Sequence, residues 1–109
     1  MSYAEVKDGD LAAVVTHLEM HKSPEAEVPP SPLSLRRIEH PNPADYRALF
    51  RKVGAPWLWF SRLVMDDAKL SAIIGHPDVE LSTVVDGDGR GVGMLELDFR
   101  TPGECELSF

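Results

Sequence analysis

The chain has few of the residues that mark specialised protein classes. Cys105 is the single cysteine in 109 residues, so an internal disulfide cannot form. No apolar run is long enough to span a bilayer, and the N-terminus lacks the charged and then apolar pattern of a secretory leader. We therefore expect a cytoplasmic protein without membrane contact. Lysine and arginine total 11 against 18 aspartate and glutamate residues, and the net charge of −7 disfavours nucleic acid as a partner.

What is present fits one small globular domain with an N-terminal extension. Residues 23–32 (SPEAEVPPSP) are rich in proline and are predicted to run extended as a linker. They divide the chain into an extension (1–32) and a folded part (33–109). Within the extension, the β-branched alternation of residues 13–20 predicts an added strand. The alternative is a helix, and only a helix would bring His17 and His21 together; with no third ligand evident, no metal site is predicted.

The strongest local signal in the chain is the start of a helix. Asn42 is a good N-cap, Pro43 suits the first helical position, and Asp45 adds negative charge where the helix dipole favours it. Apolar side chains with helical spacing follow, and a glycine ends the pattern. We predict a strand over residues 33–39 and a helix over residues 43–53.

An aromatic segment, residues 55–65 (APWLWFSRLVM), joins this helix to a second one capped by Asp66 and running through residue 74. Trp57, Trp59 and Phe60 have two interpretations here. They either plug the space over the sheet, or they form the wall of a ligand pocket with Arg62 as a polar contact.

The last third of the chain predicts three antiparallel strands, over residues 79–86, 92–100 and 104–109. Turn-forming residues separate them. Pairing that keeps apolar side chains on one face sets Asp98 opposite Glu106, and we expect a bulge near Gly103 to accommodate the loop. The apolar face then holds Leu95, Leu97, Phe99, Cys105 and Leu107, and the opposite face holds Met94, Glu96, Asp98, Arg100 and Glu106.

The acidic face is the first candidate for chemistry. Carboxylates directly opposite one another, such as those of Asp98 and Glu106, repel, and the repulsion tends to raise the pKa of one partner. A carboxylate tuned in this way can act as a general base. The alternative is a solvated sheet face on which Arg100 offsets part of the charge. Cys105, which has no activating neighbour in the sequence, is interpreted as a small core residue.

The complete pattern resembles the N-terminal half of the GCN5-related N-acetyltransferase superfamily. The residues that carry the resemblance are LSLRRIEHPNPADYRALFRKVGAPWLWFSRL, then GVGMLELDF and ECELSF. The resemblance covers residues 33–109. It implies an α/β fold of the α+β type, with a mixed, largely antiparallel sheet and two helices between the first strand and a three-strand meander.

The resemblance also implies an activity and a set of site residues. Acetyl-CoA would donate an acetyl group to a primary amine of a small molecule or peptide. Glu106 matches the position of the general base, with Glu104 and Glu96 as alternates. The implied substrate-binding residues are Trp57, Trp59, Phe60, Arg62 and Asp98, and Phe109 lies nearest to the implied cofactor site.

The sequence departs from the family pattern at one point. In the family, the fourth strand leads into a glycine-rich loop and a helix whose N-terminus holds the pyrophosphate of the cofactor. Here the one glycine-rich run, GDGRGVG, lies between strands. We therefore expect an acetyltransferase fragment that is inactive alone and that pairs with a second copy or with a complementing C-terminal half. The competing hypothesis is a non-catalytic binding or dimerisation module that uses the exposed edge of the last strand.

Overall fold

The computed structural model describes residues 4–109, and the fold that it shows is mixed α/β. A four-stranded antiparallel open sheet has the order β1-β2-β3-β4, and two helices pack on one of its faces. The elements are β1 Ser34–Arg37, α1 Pro43–Gly54, α2 Asp67–Ile74, β2 Val79–Val85, β3 Gly91–Asp98 and β4 Glu106–Leu107. A short 3-10 turn, Ala55–Trp57, follows α1. In the described part of the chain, no helix has the length and apolar character needed to cross a membrane.

Helix α1 begins where the sequence predicts. The Asn42 side chain accepts a hydrogen bond from the backbone N–H of Asp45 at 2.9 Å, and Pro43 occupies the first helical position. Asp66 caps α2 in the same way, accepting from the backbone N–H of Lys69 at 2.7 Å. Both predicted helices are therefore confirmed, and their caps fix the ends of the segment between them.

The predicted register of the last two strands is confirmed as well. Leu97 lies opposite Leu107, and Asp98 lies opposite Glu106. The β3–β4 connection turns through Pro102 and Gly103, whose φ is 76°. The bulge expected near Gly103 is not present in the described pairing. Instead, a bulge follows β4. The Ser108 N–H donates to the Glu96 carbonyl and the Phe109 carbonyl accepts from the Glu96 N–H, so Ser108 and Phe109 both lie opposite Glu96.

The prediction of which sheet face forms the core was wrong. The helices cover the face that carries Met94 and Glu96, and Cys105 is exposed rather than buried. The cause is the β2–β3 register, because Leu81 pairs with Glu96 and Thr83 pairs with Met94. The apolar side of β2 therefore shares its face with the side of β3 that looked acidic. Tyr46, Phe50, Leu70, Ile74, Leu81 and Met94 form the core cluster.

The opposite face of the sheet is left open by the other described elements, and it carries several apolar side chains beside the ion pair of Arg37 and Glu80. Leu35 and Leu107 are 60% and 68% exposed. Val84, Leu95 and Leu97 lie between them on the same face, as the pairing shows. An antiparallel sheet commonly packs one face on the core and leaves the other to solvent, and here the two helices cover one face only.

The added strand predicted over residues 13–20 was also wrong. Residues 4–32 form neither helix nor strand, and the apolar side chains of this extension are exposed. A single strand leaves its backbone hydrogen-bonding groups to water unless a neighbouring strand pairs with them, and no element of the described chain does so here. Alternation alone therefore did not specify a strand.

Candidate functional site

The segment between the helices, which we call the aromatic connector (residues 55–65), folds back at its first turn. Leu58 adopts a left-handed conformation with φ of 59°, which is uncommon for a residue with a side chain. The N–H of Trp59 then donates to the Gly54 carbonyl at 3.1 Å. The turn places Trp59 on the core, while Trp57 and Phe60 remain 74% and 66% exposed.

Gly54 makes this turn possible because it has no side chain. A Cβ atom at position 54 would lie 2.5 Å from Cε3 and 2.7 Å from Cβ of Trp59, closer than such atoms approach in proteins. The glycine at the end of α1 therefore allows the Trp59 side chain to pack directly against the helix backbone.

Trp59 belongs to an aromatic cluster that joins three parts of the chain. Its ring centroid lies 5.5 Å from that of Phe50 on α1 and 5.2 Å from that of Phe109 after β4. Phe50 and Phe109 meet edge to face at 4.9 Å. Such arrangements stabilise aromatic pairs beyond the apolar area that they bury. Of the three predicted aromatic contacts in the connector, Trp59 is thus a packing residue, and Trp57 and Phe60 are free at the surface.

Beneath the connector lies a buried polar network centred on Glu96. The carboxylate is 0% exposed, and both of its oxygens are engaged. The Tyr46 hydroxyl donates to Oε1 at 2.6 Å, and Nη2 of Arg62 donates to Oε2 at 2.7 Å. A buried carboxylate is stable only when paired and hydrogen-bonded, and both conditions hold here. Glu96 therefore attaches the connector to the centre of the sheet.

The same contacts shift the ionisation of the two partners. Burial, reinforced by the hydrogen bond and negative charge of Glu96, raises the pKa of Tyr46 above its ordinary value. Burial opposes the charged form of Arg62, but the hydrogen bond and charge of Glu96 outweigh it and raise the pKa of Arg62. The Arg62 guanidinium also lies 5.3 Å from the centroid of the Phe109 ring. The network therefore holds a neutral phenol and a fixed cation at neutral pH.

A second arginine fixes the far end of the connector. Arg47 on α1 donates from Nη2 to the Met65 carbonyl at 2.6 Å and from Nε to the Arg62 carbonyl at 3.4 Å. It also pairs with Asp67 at the start of α2.

The sequence analysis did not predict a role for Arg47 or for the phenol of Tyr46. For Tyr46 a signal existed, because a tyrosine on the apolar stripe of a helix needs a partner for its hydroxyl.

Asp98 and Arg100 form an ion pair with each other at the end of β3. Arg100 donates from Nη2 to Asp98 Oδ2 at 2.8 Å, and its backbone N–H donates to Oδ1 at 2.9 Å. The side-chain hydrogen bonds from Arg100 have the largest effect, the backbone hydrogen bond adds to it, and together they hold the pKa of Asp98 below its ordinary value. Asp98 thus remains ionised, and its oxygens are already engaged with a cation.

Glu104 and Glu106 differ from the other predicted carboxylates because both are exposed and neither has an ion-pair partner among the described residues. Glu106 pairs with Asp98 across the strands, so the pleat puts both residues on the face that carries Glu96 and the connector. With Arg62 and Arg100 committed to other carboxylates, the free charge on this side of β4 is negative. A cationic or amine-bearing molecule would meet it favourably.

The described residues do not provide a cradle for the pyrophosphate of acetyl-CoA. The glycine-rich run is a hairpin turn in which Asp86 and Gly89 close the loop between β2 and β3. The first turns of α1 and α2 carry Asp45 and Asp67, which repel a phosphate. Phe109, predicted to lie near the cofactor, has its ring in the aromatic cluster and its carbonyl on the Glu96 N–H.

Searches of protein-family models, curated proteins and solved structures found no match to this chain.

Proposed function

We propose that the chain is the acceptor-binding part of an acetyl-CoA-dependent N-acetyltransferase. The supporting observation is the aromatic connector, which the Arg62–Glu96 pair attaches to the sheet on the face that also carries the exposed Glu106 carboxylate, which has no ion-pair partner among the described residues. The element order and antiparallel sheet agree with the resemblance of residues 33–109 to this superfamily. The acceptor is a primary amine of a small molecule or peptide.

Acetyl transfer to an amine requires a base on the acceptor side. The amine nitrogen bonds to the acetyl carbonyl carbon, the carbon–sulfur bond breaks, and coenzyme A leaves as a thiol. A protonated amine cannot attack, so a base must take its proton, and a carboxylate can serve as that base. Glu106 is our candidate, with Glu104 as the alternate. Glu96 is better suited to a positioning role, because both of its oxygens already hold Tyr46 and Arg62.

The exposed rings of the connector suit the other task, which is to bind the body of the acceptor. Trp57 and Phe60 present apolar faces to solvent, and the strained backbone at Leu58 holds them in that position. Acetyl-CoA itself would be bound mainly by residues outside the described set, since the N-termini of α1 and α2 do not suit its phosphates.

The test is release of coenzyme A by the product of the complete reading frame that encodes this chain, measured over a panel of primary amines. Glu106→Gln should lower kcat by about a hundredfold or more and remove the limb of the pH–rate profile that reports the base. Asp88→Asn, a matched loss of one exposed carboxylate on the β2–β3 turn, should leave the rate within about twofold.

Two outcomes would contradict different parts of the proposal. An unchanged rate and pH profile in Glu106→Gln would remove Glu106 as the base and direct attention to Glu104. Absence of amine-dependent release with every acceptor would reject the acetyltransferase itself.

The open apolar face of the sheet favours a second candidate, a binding or dimerisation module that uses β4. Leu107 is exposed on β4, and the outer edge of this strand has no partner within the described chain. A second chain could pair with this edge or cover the face. Sedimentation equilibrium tests the dimerisation form of this candidate: a dimer that Leu107→Asp dissociates supports it, and a monomer at every concentration contradicts it. A complementing C-terminal half, the other partner expected from the resemblance, would cover the same face.

A further inference from the structure

A cavity of about 190 Å3 lies on the helix side of the sheet, between the end of β1 and α1. Its apolar lining comes from Ile38, Leu49 and Leu81, and its polar lining includes His40, Asp45 and Thr83. It lies at the β1–β2 side of the sheet, whereas the connector and Glu106 lie at the β3–β4 side. Tyr46 is the one residue shared with the Glu96 network, since its ring lines the cavity and its hydroxyl is bonded to Glu96.

Apart from Tyr46, whose hydroxyl is bonded to Glu96, the buried polar side chain in the cavity lining is that of Thr83, and it lacks a partner among the described residues. Thr83 is 8% exposed, and its hydroxyl makes no hydrogen bond with any residue that the structure describes. Among the described residues, Arg62 Nε is the one side-chain polar atom that has no partner and is also closed to solvent. The Thr83 hydroxyl has no partner but is open to solvent. Its hydroxyl is therefore reachable from the cavity, where a polar ligand atom would satisfy it.

The charge at the cavity favours a cation. Asp45 lines it together with His40; its Oδ2 accepts from Asn42 Nδ2 at 2.8 Å, and the carboxylate has no ion pair within the described residues. The N-terminus of α1 would attract an anion, but the Asp45 backbone N–H already donates to Asn42 and the Asp45 carboxylate supplies the negative charge. An anionic ligand would be repelled, and a protonated amine would be attracted.

We propose that this cavity binds a small protonated amine with a compact apolar or aromatic body. The body would pack against Ile38, Leu49 and Leu81, while the ammonium group would donate to Asp45 and to the Thr83 hydroxyl. The size is suitable, because an apolar cavity of about 150 Å3 holds benzene. The proposal is independent of the acetyltransferase proposal, whose acceptor would lie at the connector.

The experiment is an NMR titration of the complete 109-residue chain with benzylamine, with benzyl alcohol and benzoate as neutral and anionic analogues of the same ring. A ligand of this size should bind with a dissociation constant of about a millimolar. We expect benzylamine to shift the amide signals of Ile38, Leu49, Leu81 and Thr83, benzyl alcohol to bind more weakly, and benzoate to bind least.

Three substitutions test the contacts. Thr83→Val, which keeps the shape and removes the hydroxyl, should weaken benzylamine binding by about two- to tenfold. Asp45→Asn should reduce the preference for benzylamine over benzyl alcohol by about two- to fivefold, a modest effect because this carboxylate is partly in water. Asp88→Asn, the same charge change at a distant turn, should have no effect. Circular dichroism identifies any variant that has lost its helices.

The proposal is overturned if benzoate binds as well as benzylamine, or if the shifted amides of the unmodified chain belong to the connector instead of the cavity. It is also overturned if the folded Thr83→Val and Asp45→Asn proteins both bind benzylamine with unchanged affinity. Because the titration of the unmodified chain locates the site directly, the result does not depend on any variant being stable.

Discussion

Substitution of Arg62 by methionine tests the network that holds the aromatic connector. The change leaves the fully buried Glu96 carboxylate without its cation while keeping the Tyr46 hydrogen bond. The Arg62 side chain is itself only 14% exposed. Loss of one partner from a buried pair costs about 3–5 kcal/mol, because the other charge is left in a medium of low polarity. We therefore expect Arg62→Met to lower the free energy of unfolding by about that amount.

The chain offers a matched control in the second arginine–carboxylate pair. Arg100 and Asp98 bond at 2.8 Å, close to the 2.7 Å of Arg62 and Glu96, but their side chains are 41% and 12% exposed, against 14% and 0% for Arg62 and Glu96. Exposed pairs contribute about 0–1 kcal/mol. Arg100→Met should therefore have a smaller effect than Arg62→Met, although it removes three side-chain hydrogen bonds.

The assay is urea unfolding followed by tryptophan fluorescence, which reports Trp59 in the aromatic cluster. A small domain has about 5–15 kcal/mol of stability, so Arg62→Met leaves a narrow margin. Arg62→Lys, which keeps the positive charge, is the milder variant if the first does not fold. In addition, Glu96→Gln together with Arg62→Met should cost about 1–3 kcal/mol less than the sum of the two single changes. Equal losses for Arg62→Met and Arg100→Met would refute the argument from burial.

Three further predictions concern the stability of α1 and its contacts. Tyr46→Phe should cost about 1.5–3 kcal/mol in urea unfolding, because it removes a hydrogen bond to a charged group. The raised pKa of Tyr46 means that the folded chain keeps a proton that the unfolded chain loses, so stability should fall by about 1.4 kcal/mol per pH unit above about pH 10. This slope should be shallower in Tyr46→Phe; an identical slope would contradict the assignment. Asn42→Ala should cost about 1 kcal/mol in thermal unfolding, against a negligible change for the exposed Ala44→Ser. Gly54→Ala should displace Trp59, with a loss of about 1–3 kcal/mol and a red-shifted emission; unchanged emission would show that the contact is not tight.

The parts of the fold that the sequence predicts are those set by neighbouring residues. Asn42, Pro43 and Asp45 specify the start of α1 within four positions, and the structure has the helix there. The β3–β4 register is similarly local, because a short loop joins the two strands. In both cases the determining contacts lie close together in the chain, where spacing and turn chemistry are informative.

The core face could not be predicted, because β3 has apolar residues on both sides. Met94 lies on one face and Leu95 and Leu97 on the other, and only the long-range pairing of Leu81 with Glu96 decides which face the helices cover. Burial of Glu96 depends on Tyr46 and Arg62, which lie 50 and 34 positions away in the chain. Such partners leave no periodic signal in one sequence. For the same reason, the added strand at residues 13–20 was wrong, since alternation does not reveal whether a neighbouring strand exists.

The measurement that tests the central proposal most directly is thermal unfolding with acetyl-CoA, done on residues 1–109 and on the product of the complete reading frame that encodes them. We predict that saturation at about a hundred times the dissociation constant stabilises the complete product by about 2.7 kcal/mol and leaves residues 1–109 unchanged, because the described helix N-termini do not suit the phosphates. Stabilisation of residues 1–109 would contradict the assignment of this part to the acceptor. No stabilisation of either protein would contradict the acetyltransferase proposal.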